Sequence, residues 1–165
     1  MNTTTITLPA VFMAILTASS AIAGEKAFLE ALSGNWQGSG QVRMKPESAP
    51  VNVSCNLDSR TQGGTALSMD GACRAKAVFS RQIGADLQAK GTRYTGSYVG
   101  ANRGAARLSG TRSGETLNLQ VKWPDKVAKM QVASLGEGRM RLTTIEKHAE
   151  TGEQVVTAQI EFSRK

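Results

Sequence analysis

The sequence contains little histidine and few aromatic side chains. His148 is the single histidine among 165 residues, and aromatic residues make up 5%. Nucleophilic catalysis needs a base held against the nucleophile, yet His148 lies in a charged stretch, 146–152, that is typical of a hairpin turn. We interpret it as a solvated turn residue, with haem or metal ligation as the alternative. The acids are scattered and no glycine-rich phosphate loop is present, so we expect no enzyme, no metal and no cofactor.

Cysteine is also scarce, with only Cys55 and Cys73 in the chain. An even, low count in an exported protein predicts one disulfide, which adds roughly 3 kcal/mol of stability in the chain-entropy account. Both cysteines share the apolar side of neighbouring predicted strands, where a bridge is geometrically plausible. The alternatives are two free buried thiols or, with a single histidine available, a metal site.

Charged side chains are missing from the first 23 residues. The apolar run over 8–17 is too short to cross a bilayer, which needs about 20 residues. It leads to Ala21-Ile22-Ala23, an A-x-A cleavage site. We predict a signal peptide over 1–23 and a mature domain over 24–165, periplasmic or secreted, with no transmembrane span. Since the first residues lack the usual basic side chains, the alternative is a buried N-terminal helix.

Apolar and polar residues alternate with a period of two over most of the mature chain. A short helix is predicted first, over 25–32, and Gly34 ends it. Short segments follow at roughly ten-residue spacing, each apolar on one side and bounded by Gly or Pro. Val78 and Phe79 are predicted in one of them, and Leu87 in the next, which is bounded by Gly84 and Gly91. Such spacing indicates an antiparallel sheet and not a parallel one. The sequence therefore predicts a single all-β domain, an antiparallel β-barrel or barrel-like sandwich of about nine strands.

The net charge of +7 comes from one stretch of the chain. Eight basic residues and one acid lie between Arg74 and Arg112, and the rest of the chain holds twelve residues of each sign. A localised positive field attracts anionic partners. Arginines beside tyrosines also suit stacked bases, but predicted export and the few aromatics favour an anionic envelope component over nucleic acid. The alternative is a basic surface without a partner. The candidate binding residues of this stretch are Arg93, Tyr94, Tyr98, Arg103, Arg107 and Arg112.

Trp36 opens the first predicted strand directly after the helix, within Gly34-Asn35-Trp36. This pattern resembles the Gly-x-Trp start of calycin β-barrels such as lipocalins, in which the Trp plugs the barrel floor and a basic residue near the last strand covers it. Arg164 stands where the resemblance places that basic residue. The resemblance implies a cavity for a small apolar ligand and makes Trp36 a candidate binding residue. The alternative is a tryptophan that serves the core alone.

A second resemblance is to the small periplasmic metalloprotease-inhibitor barrels. Like this chain, those proteins have an early Trp and two cysteines, and the cysteines are separated by an interval similar to that between Cys55 and Cys73. The resemblance implies a protein partner, a protease, into which the segment from Gly24 to Phe28 would insert.

These patterns together predict an exported, non-enzymatic binding protein of the cell envelope with an anionic or apolar ligand. Two sites are expected, namely the barrel interior near Trp36 and the basic stretch from Arg93 to Arg112. The alternatives are a periplasmic protease inhibitor and an envelope protein that binds no small ligand.

Overall fold

A computed structural model of the protein describes residues 19–75, 79–100 and 104–165. Residues 1–18 of the predicted signal peptide, and Arg103, lie outside the described residues. Within them one helix precedes ten strands, α1 (Ser19–Leu32), β1 (Gly34–Val42), β2 (Val51–Gln62), β3 (Ala66–Ala75), β4 (Phe79–Lys90), β5 (Arg93–Val99), β6 (Ala105–Ser113), β7 (Thr116–Lys122), β8 (Val127–Gly136), β9 (Arg139–Lys147) and β10 (Gln154–Arg164).

The strands form a closed antiparallel barrel in which each strand pairs with its neighbours in the chain. β1 pairs with both β2 and β10, so that Trp36 lies between Leu57 and Arg164. Closure leaves no unpaired sheet edge among these strands. The all-β prediction is confirmed, with ten strands in place of about nine.

The middle of the chain differs from the predicted strand pattern. The sequence suggested two short strands, one at Phe79 and one at Leu87, separated near Gly84. The structure has a single twelve-residue strand, β4, that passes through Gly84 and pairs with β3 from Phe79 to Gln88. Pairing on both sides holds the strand extended, so one glycine does not interrupt it.

The helix closes one end of the barrel. Phe28, Leu29 and Leu32 form the predicted apolar face of α1 and are buried. The helix begins earlier than predicted, at Ser19. We call the end of the barrel that α1 covers the closed end, and the opposite end, where β1 finishes at Val42, the open end.

Inward-facing glycines let neighbouring strands approach closely. A Cβ atom added at Gly110 of β6 would lie 1.9 Å from the carbonyl oxygen of Asn118, and one added at Gly96 of β5 would lie 1.9 Å from that of Asp86. A side chain at either position has no space, because the carbonyl belongs to a paired strand. Glycine at these positions therefore lets adjacent strands of the barrel wall lie closer to each other.

The two cysteines meet inside the barrel wall. Cys55 of β2 lies directly opposite Cys73 of β3, and the structure contains the predicted disulfide between them, with Cα atoms 4.0 Å apart. Both cysteines are buried. The bridge therefore joins adjacent strands on the side facing the core.

Candidate functional site

A cavity of about 140 Å³ enters the barrel from the open end. Its walls come from β1, β2, β3, β4, β5, β8, β9 and β10 and from the turns beside them. Most of the lining is apolar and includes Val42, Val53, Ile83, Met130 and Leu142. The strand alternation that builds the core also lines this cavity, because the same inward positions continue toward the open end.

Three charged side chains interrupt the apolar lining, and they are Arg43, Arg81 and Glu146. Arg81 pairs with Cys73 across β4 and β3, and its neighbour at the next inward position, Ile83, pairs with Gly71. Arg81 therefore shares the inward phase of the core. An ionised group in such a place is costly unless it has polar partners, so these residues mark the polar part of the cavity.

Glu146 forms an ion pair at the mouth of the cavity. Its carboxylate accepts a hydrogen bond from the Lys126 ammonium, and both side chains are largely buried, 13% and 20% exposed. Burial out of water strengthens the attraction between the two charges and raises the cost of losing either one. The pair therefore links the β7–β8 turn to the end of β9.

Tyr98 and Trp123 form an aromatic corner of the cavity. Their ring centres are 6.1 Å apart in an edge-to-face arrangement, which is a favoured geometry for aromatic pairs. Burial raises the pKa of the Tyr98 hydroxyl, so this group is a neutral hydrogen-bond donor at physiological pH. Trp123 donates from Nε1 to the Gly104 carbonyl at 3.4 Å.

The β1–β2 loop lies beside the mouth of the cavity and is tied to a neighbouring turn. Arg43 donates to the Ser48 carbonyl at 2.5 Å, and the Glu47 carboxylate accepts a hydrogen bond from the Ala149 amide at 3.1 Å. This amide lowers the pKa of Glu47. His148 lies in the same hairpin turn, where Nδ1 accepts from the amides of Glu150 and Thr151. The predicted turn position of His148 is confirmed.

Trp36 plugs the closed end of the barrel. The side chain is 1% exposed and donates from Nε1 to the Leu32 carbonyl at 3.1 Å. The Arg164 guanidinium lies over the indole, 5.0 Å from the ring centre, and donates to the Ala31 carbonyl at 2.9 Å. A cation over an indole face is an attractive arrangement. The expectation that Arg164 covers Trp36 is confirmed.

A buried polar cluster attaches α1 to the wall at the closed end. The Glu25 carboxylate accepts hydrogen bonds from the Tyr94 hydroxyl and, at 2.9 Å, from Nε of Arg112. The Arg112 guanidinium also lies 5.1 Å from the centre of the Phe28 ring. Burial, followed by the hydrogen bond and charge of Glu25, raises the pKa of Tyr94, and the nearby Arg112 partly offsets this.

The predicted binding residues lie in three separate places. Tyr98 lines the cavity, whereas Trp36, Tyr94 and Arg112 belong to the closed end. Arg93 and Arg107 are exposed on the outer wall. Arg93 pairs with Thr111 and Ser97 pairs with Arg107, which separates the two arginines by four residues along the ladder, roughly 13 Å. A role in ligand binding for these residues stays a prediction.

Sequence reasoning missed Arg43, Arg81, Trp123 and Glu146 as cavity residues. Arg81 had a usable signal, since it shares the alternation phase of Ile83 and Leu87. Trp123 and Glu146 also continue the inward alternation of β7 and β9. Arg43 lies after the end of β1, where the direction of the side chain depends on how the turn packs.

No helix in the described part of the chain has the length and hydropathy needed to cross a bilayer. Over the same residues, no group of three or more His, Cys, Asp or Glu side chains is placed to hold a metal ion.

No protein-family model and no curated protein sequence matches this chain. Similar solved structures include Rv2717c from M. tuberculosis, with a TM-score of 0.65 and 12% identity over 86% of this chain and 97% of that one. An S-type phycobiliprotein lyase from Guillardia theta has a TM-score of 0.61 and 9% identity, over 92% of this chain and 98% of that one. A mutant of the fluorescent protein UnaG has a TM-score of 0.53 and 13% identity, over 83% of this chain and 98% of that one. At such identities the likeness shows the fold alone, and the protein therefore has a calycin-like β-barrel fold.

Proposed function

We propose that this protein is an exported, non-enzymatic binding protein whose open-end cavity takes the apolar part of a small amphiphile that carries an acidic group. The observation that carries the proposal is the cavity itself. It is lined mainly by apolar side chains, closed below by the core, and has Arg43 and Arg81 in its wall.

The volume of the cavity limits what enters it. About 140 Å³ is close to that of an engineered apolar cavity of about 150 Å³ that binds benzene. It is smaller than the roughly 300–1,000 Å³ typical of pockets that enclose a whole ligand. We infer that a short acyl segment or a single ring enters the barrel, while the polar part of the ligand stays at the mouth.

The charges of the lining support an acidic ligand group. Arg43 and Arg81 contribute two guanidinium groups to the wall of the cavity, and Glu146 contributes one carboxylate, which accepts a hydrogen bond from Lys126. Guanidinium groups bind carboxylates and phosphates through short, charge-assisted hydrogen bonds. A ligand acid near these two arginines would therefore be favoured over a neutral ligand of the same shape.

The residues before Trp36 support this function over protease inhibition. An inhibitory segment has to be extended and accessible, whereas Phe28, Leu29 and Leu32 of α1 are buried against the barrel. Glu25 is also held by Tyr94 and Arg112. Insertion of this segment into a protease would require these contacts to break.

Two features support export. The first 23 residues carry no charge and end in Ala21-Ile22-Ala23, which is a pattern of cleavable secretory signals. The Cys55–Cys73 disulfide is of a kind that persists in oxidising compartments and is rare in the cytosol.

Calorimetric titration with linear carboxylic acids and matched alcohols of increasing length tests the proposal. We expect acids to bind more tightly than alcohols of equal length. Ala158 lines the cavity, so Ala158→Phe should weaken binding of both series by roughly tenfold or more, because the added ring fills the space. Arg81→Gln should weaken the acids by a similar factor through loss of a charge-assisted hydrogen bond, and should leave the alcohols unaltered.

Gln159→Phe is the matched control, since Gln159 is the exposed neighbour of Ala158 on β10. It should bind like the parent protein, and the ligand recovered after incubation should have an unchanged mass. Equal affinity in Ala158→Phe and Gln159→Phe would place binding outside the cavity. A chemically altered ligand would contradict the non-enzymatic part of the proposal.

A further inference from the structure

Two like-charged side chains lie directly opposite each other on the outer wall. Arg107 of β6 pairs with Lys122 of β7, and both are exposed. Like charges at directly opposed positions of an antiparallel pair destabilise the sheet. Lys122 in turn pairs with Val127 of β8, whose side chain is 46% exposed. A row of two cations and an exposed valine therefore crosses three strands near the open end.

A second row continues across the next strands. Lys129 of β8 pairs with Ile145 of β9, and Ile145 pairs with Val156 of β10. Val156 is 44% exposed, Lys129 is exposed, and Ile145 is partly exposed. Lys147 follows Ile145 at the next outward position of β9 and is also exposed.

We call these seven residues the basic band, and they are Arg107, Lys122, Val127, Lys129, Ile145, Lys147 and Val156. The band holds four cations and three apolar side chains, and no carboxylate belongs to it. The nearest acids along the chain are Asp125 in the β7–β8 turn, Glu150 and Glu153 between β9 and β10, and Glu146, which lines the cavity and pairs with Lys126. The outer wall of β6–β10 beside the open end is therefore both positive and apolar.

The composition of the band indicates the chemistry of its partner. Four cations suit an anionic surface, and each cation near an anionic bilayer increases binding by about fivefold. Exposed valines gain from a partner with an apolar layer beneath its charges, as in the interface of a phospholipid bilayer. A nucleic acid offers stacking to aromatic side chains, and the band has none. Its cations and exposed apolar side chains therefore fit a lipid surface.

We propose that the basic band docks the protein on the surface of an anionic phospholipid bilayer. The rim of the open end along β6–β10 would face the head groups, with Val127 and Val156 at the level of the interface. The like-charge cost between Arg107 and Lys122 would then be relieved by lipid phosphates. Since the band borders the open end, docking would bring the mouth of the cavity close to the lipid.

Sedimentation with vesicles tests this proposal in the protein without added ligand, so its outcome does not depend on the cavity. Vesicles contain phosphatidylcholine alone or mixed with phosphatidylglycerol. We expect binding to the mixed vesicles only, with loss of binding at high salt because the cations are solvent-exposed. Lys122→Glu combined with Lys129→Glu should reduce binding by on the order of tenfold or more.

The matched control reverses two charges at the closed end. Lys90→Glu combined with Arg139→Glu removes the same four units from the net charge of +7, and both residues are exposed. We expect this variant to retain binding within about twofold. Equal losses in the two double variants would show attraction by net charge alone and would overturn the proposal.

The apolar part of the band has its own test. Val127→Ser combined with Val156→Ser should weaken vesicle binding several-fold at constant charge, because less apolar surface enters the interface. Val99→Ser is the control, since Val99 is 52% exposed on β5 and lies outside the band. Unaltered binding in the double valine variant would indicate a polyanion without an apolar layer and would overturn the lipid proposal. A dimer in solution that dissociates in that variant would assign the band to a second copy of this chain instead.

The stability of Lys122→Glu separates a docking role from a structural one. Removal of the like-charge pair should raise the midpoint of thermal unfolding, while vesicle binding falls. A lower midpoint together with weaker binding would show that Lys122 serves the fold, and the like-charge argument for docking would then be lost.

Discussion

Glu25 is a buried carboxylate on which the attachment of the helix depends. Its side chain is held between the Tyr94 hydroxyl and the Arg112 guanidinium, and the residue is 4% exposed. A buried charge is tolerated only when it is paired and hydrogen-bonded. The position of α1 is therefore set by a polar contact as well as by its apolar face.

Replacement of Glu25 tests whether this carboxylate stabilises the attachment of α1. Glu25→Ala should lower the free energy of unfolding by about 3 kcal/mol, because Arg112 keeps its charge in a largely buried place without its partner. Chemical denaturation measures the loss. Glu30→Ala on the same helix is the control, since its ion pair with Lys26 is exposed and such pairs contribute about 1 kcal/mol or less. Equal effects in the two variants would contradict the role of Glu25.

The pKa of Tyr94 predicts a loss of stability at high pH. The folded-state pKa is raised above the unfolded value of about 10 by burial and by Glu25. The neutral Tyr94 hydroxyl therefore makes its full contribution to the free energy of unfolding below about pH 10. Above that pH the contribution decreases, by up to about 1.4 kcal/mol per pH unit. Burial also raises the pKa of Tyr98, so ionisation of this residue lowers stability at high pH as well.

Tyr94→Phe should flatten this alkaline slope while lowering stability at neutral pH by about 1–3 kcal/mol, because Glu25 loses a donor. Unfolding at about pH 8 and about pH 11 measures both effects. A slope as steep in the variant as in the parent protein would show that Tyr94 does not titrate with unfolding.

At the scale of the strands, the barrel depends on inward glycines as well as on apolar residues. Gly110 lies where β6 passes so close to β7 that a Cβ would be 1.9 Å from the Asn118 carbonyl oxygen. In the sequence such a glycine looks like a turn signal. The pattern therefore suggested short strands in the middle of the chain, whereas pairing on both sides keeps these strands continuous.

Gly110→Ala should destabilise the protein by about 1–3 kcal/mol, since β6 and β7 have to move apart to accommodate the methyl group. Ser109→Ala at the exposed neighbouring position should alter stability by less than about 0.5 kcal/mol. Thermal or urea unfolding measures both. A stabilised Gly110→Ala variant, the result expected from reduced freedom of the unfolded chain alone, would show that the strands have room.

At the scale of the whole molecule, the barrel is compatible with removal of its first residues. The described side-chain contacts between α1 and the wall come from Glu25 onward, through Phe28, Leu29 and Leu32. A chain that begins at Gly24 retains all of them. These described contacts are therefore kept when residues 1–23 are removed.

Export predicts a defined mature protein. After expression of the full chain in a bacterium, we expect the periplasmic fraction to contain protein whose intact mass corresponds to residues 24–165. A thiol assay after unfolding without reductant should find no free thiol, and reduction should lower stability by roughly 3 kcal/mol. Protein retained in the cytoplasm with residues 1–23 attached, or two reactive thiols in the periplasmic form, would contradict export or the bridge.

The sequence by itself determined the fold class and the disulfide, and the resemblance to calycin barrels placed Trp36 at the barrel floor. Each of these depends on local patterns: alternation with a period of two, two cysteines in phase, and a Trp directly after a helix. The contact of Arg164 with Trp36 was also expected, because a basic residue near the last strand covers the Trp in the calycin barrels that the chain resembles. Such features could be predicted because neighbouring residues, or a known motif, specify them.

The tertiary structure alone decided where the charges lie. The basic stretch from Arg74 to Arg112 is continuous in sequence, but four successive antiparallel strands distribute it between a cavity wall, two ends and the outer surface. Arg81 faces the cavity, Arg112 meets Glu25, and Arg107 lies beside Lys122. The physical reason is that strand register and barrel closure set these neighbours, and both depend on contacts between residues far apart in the chain.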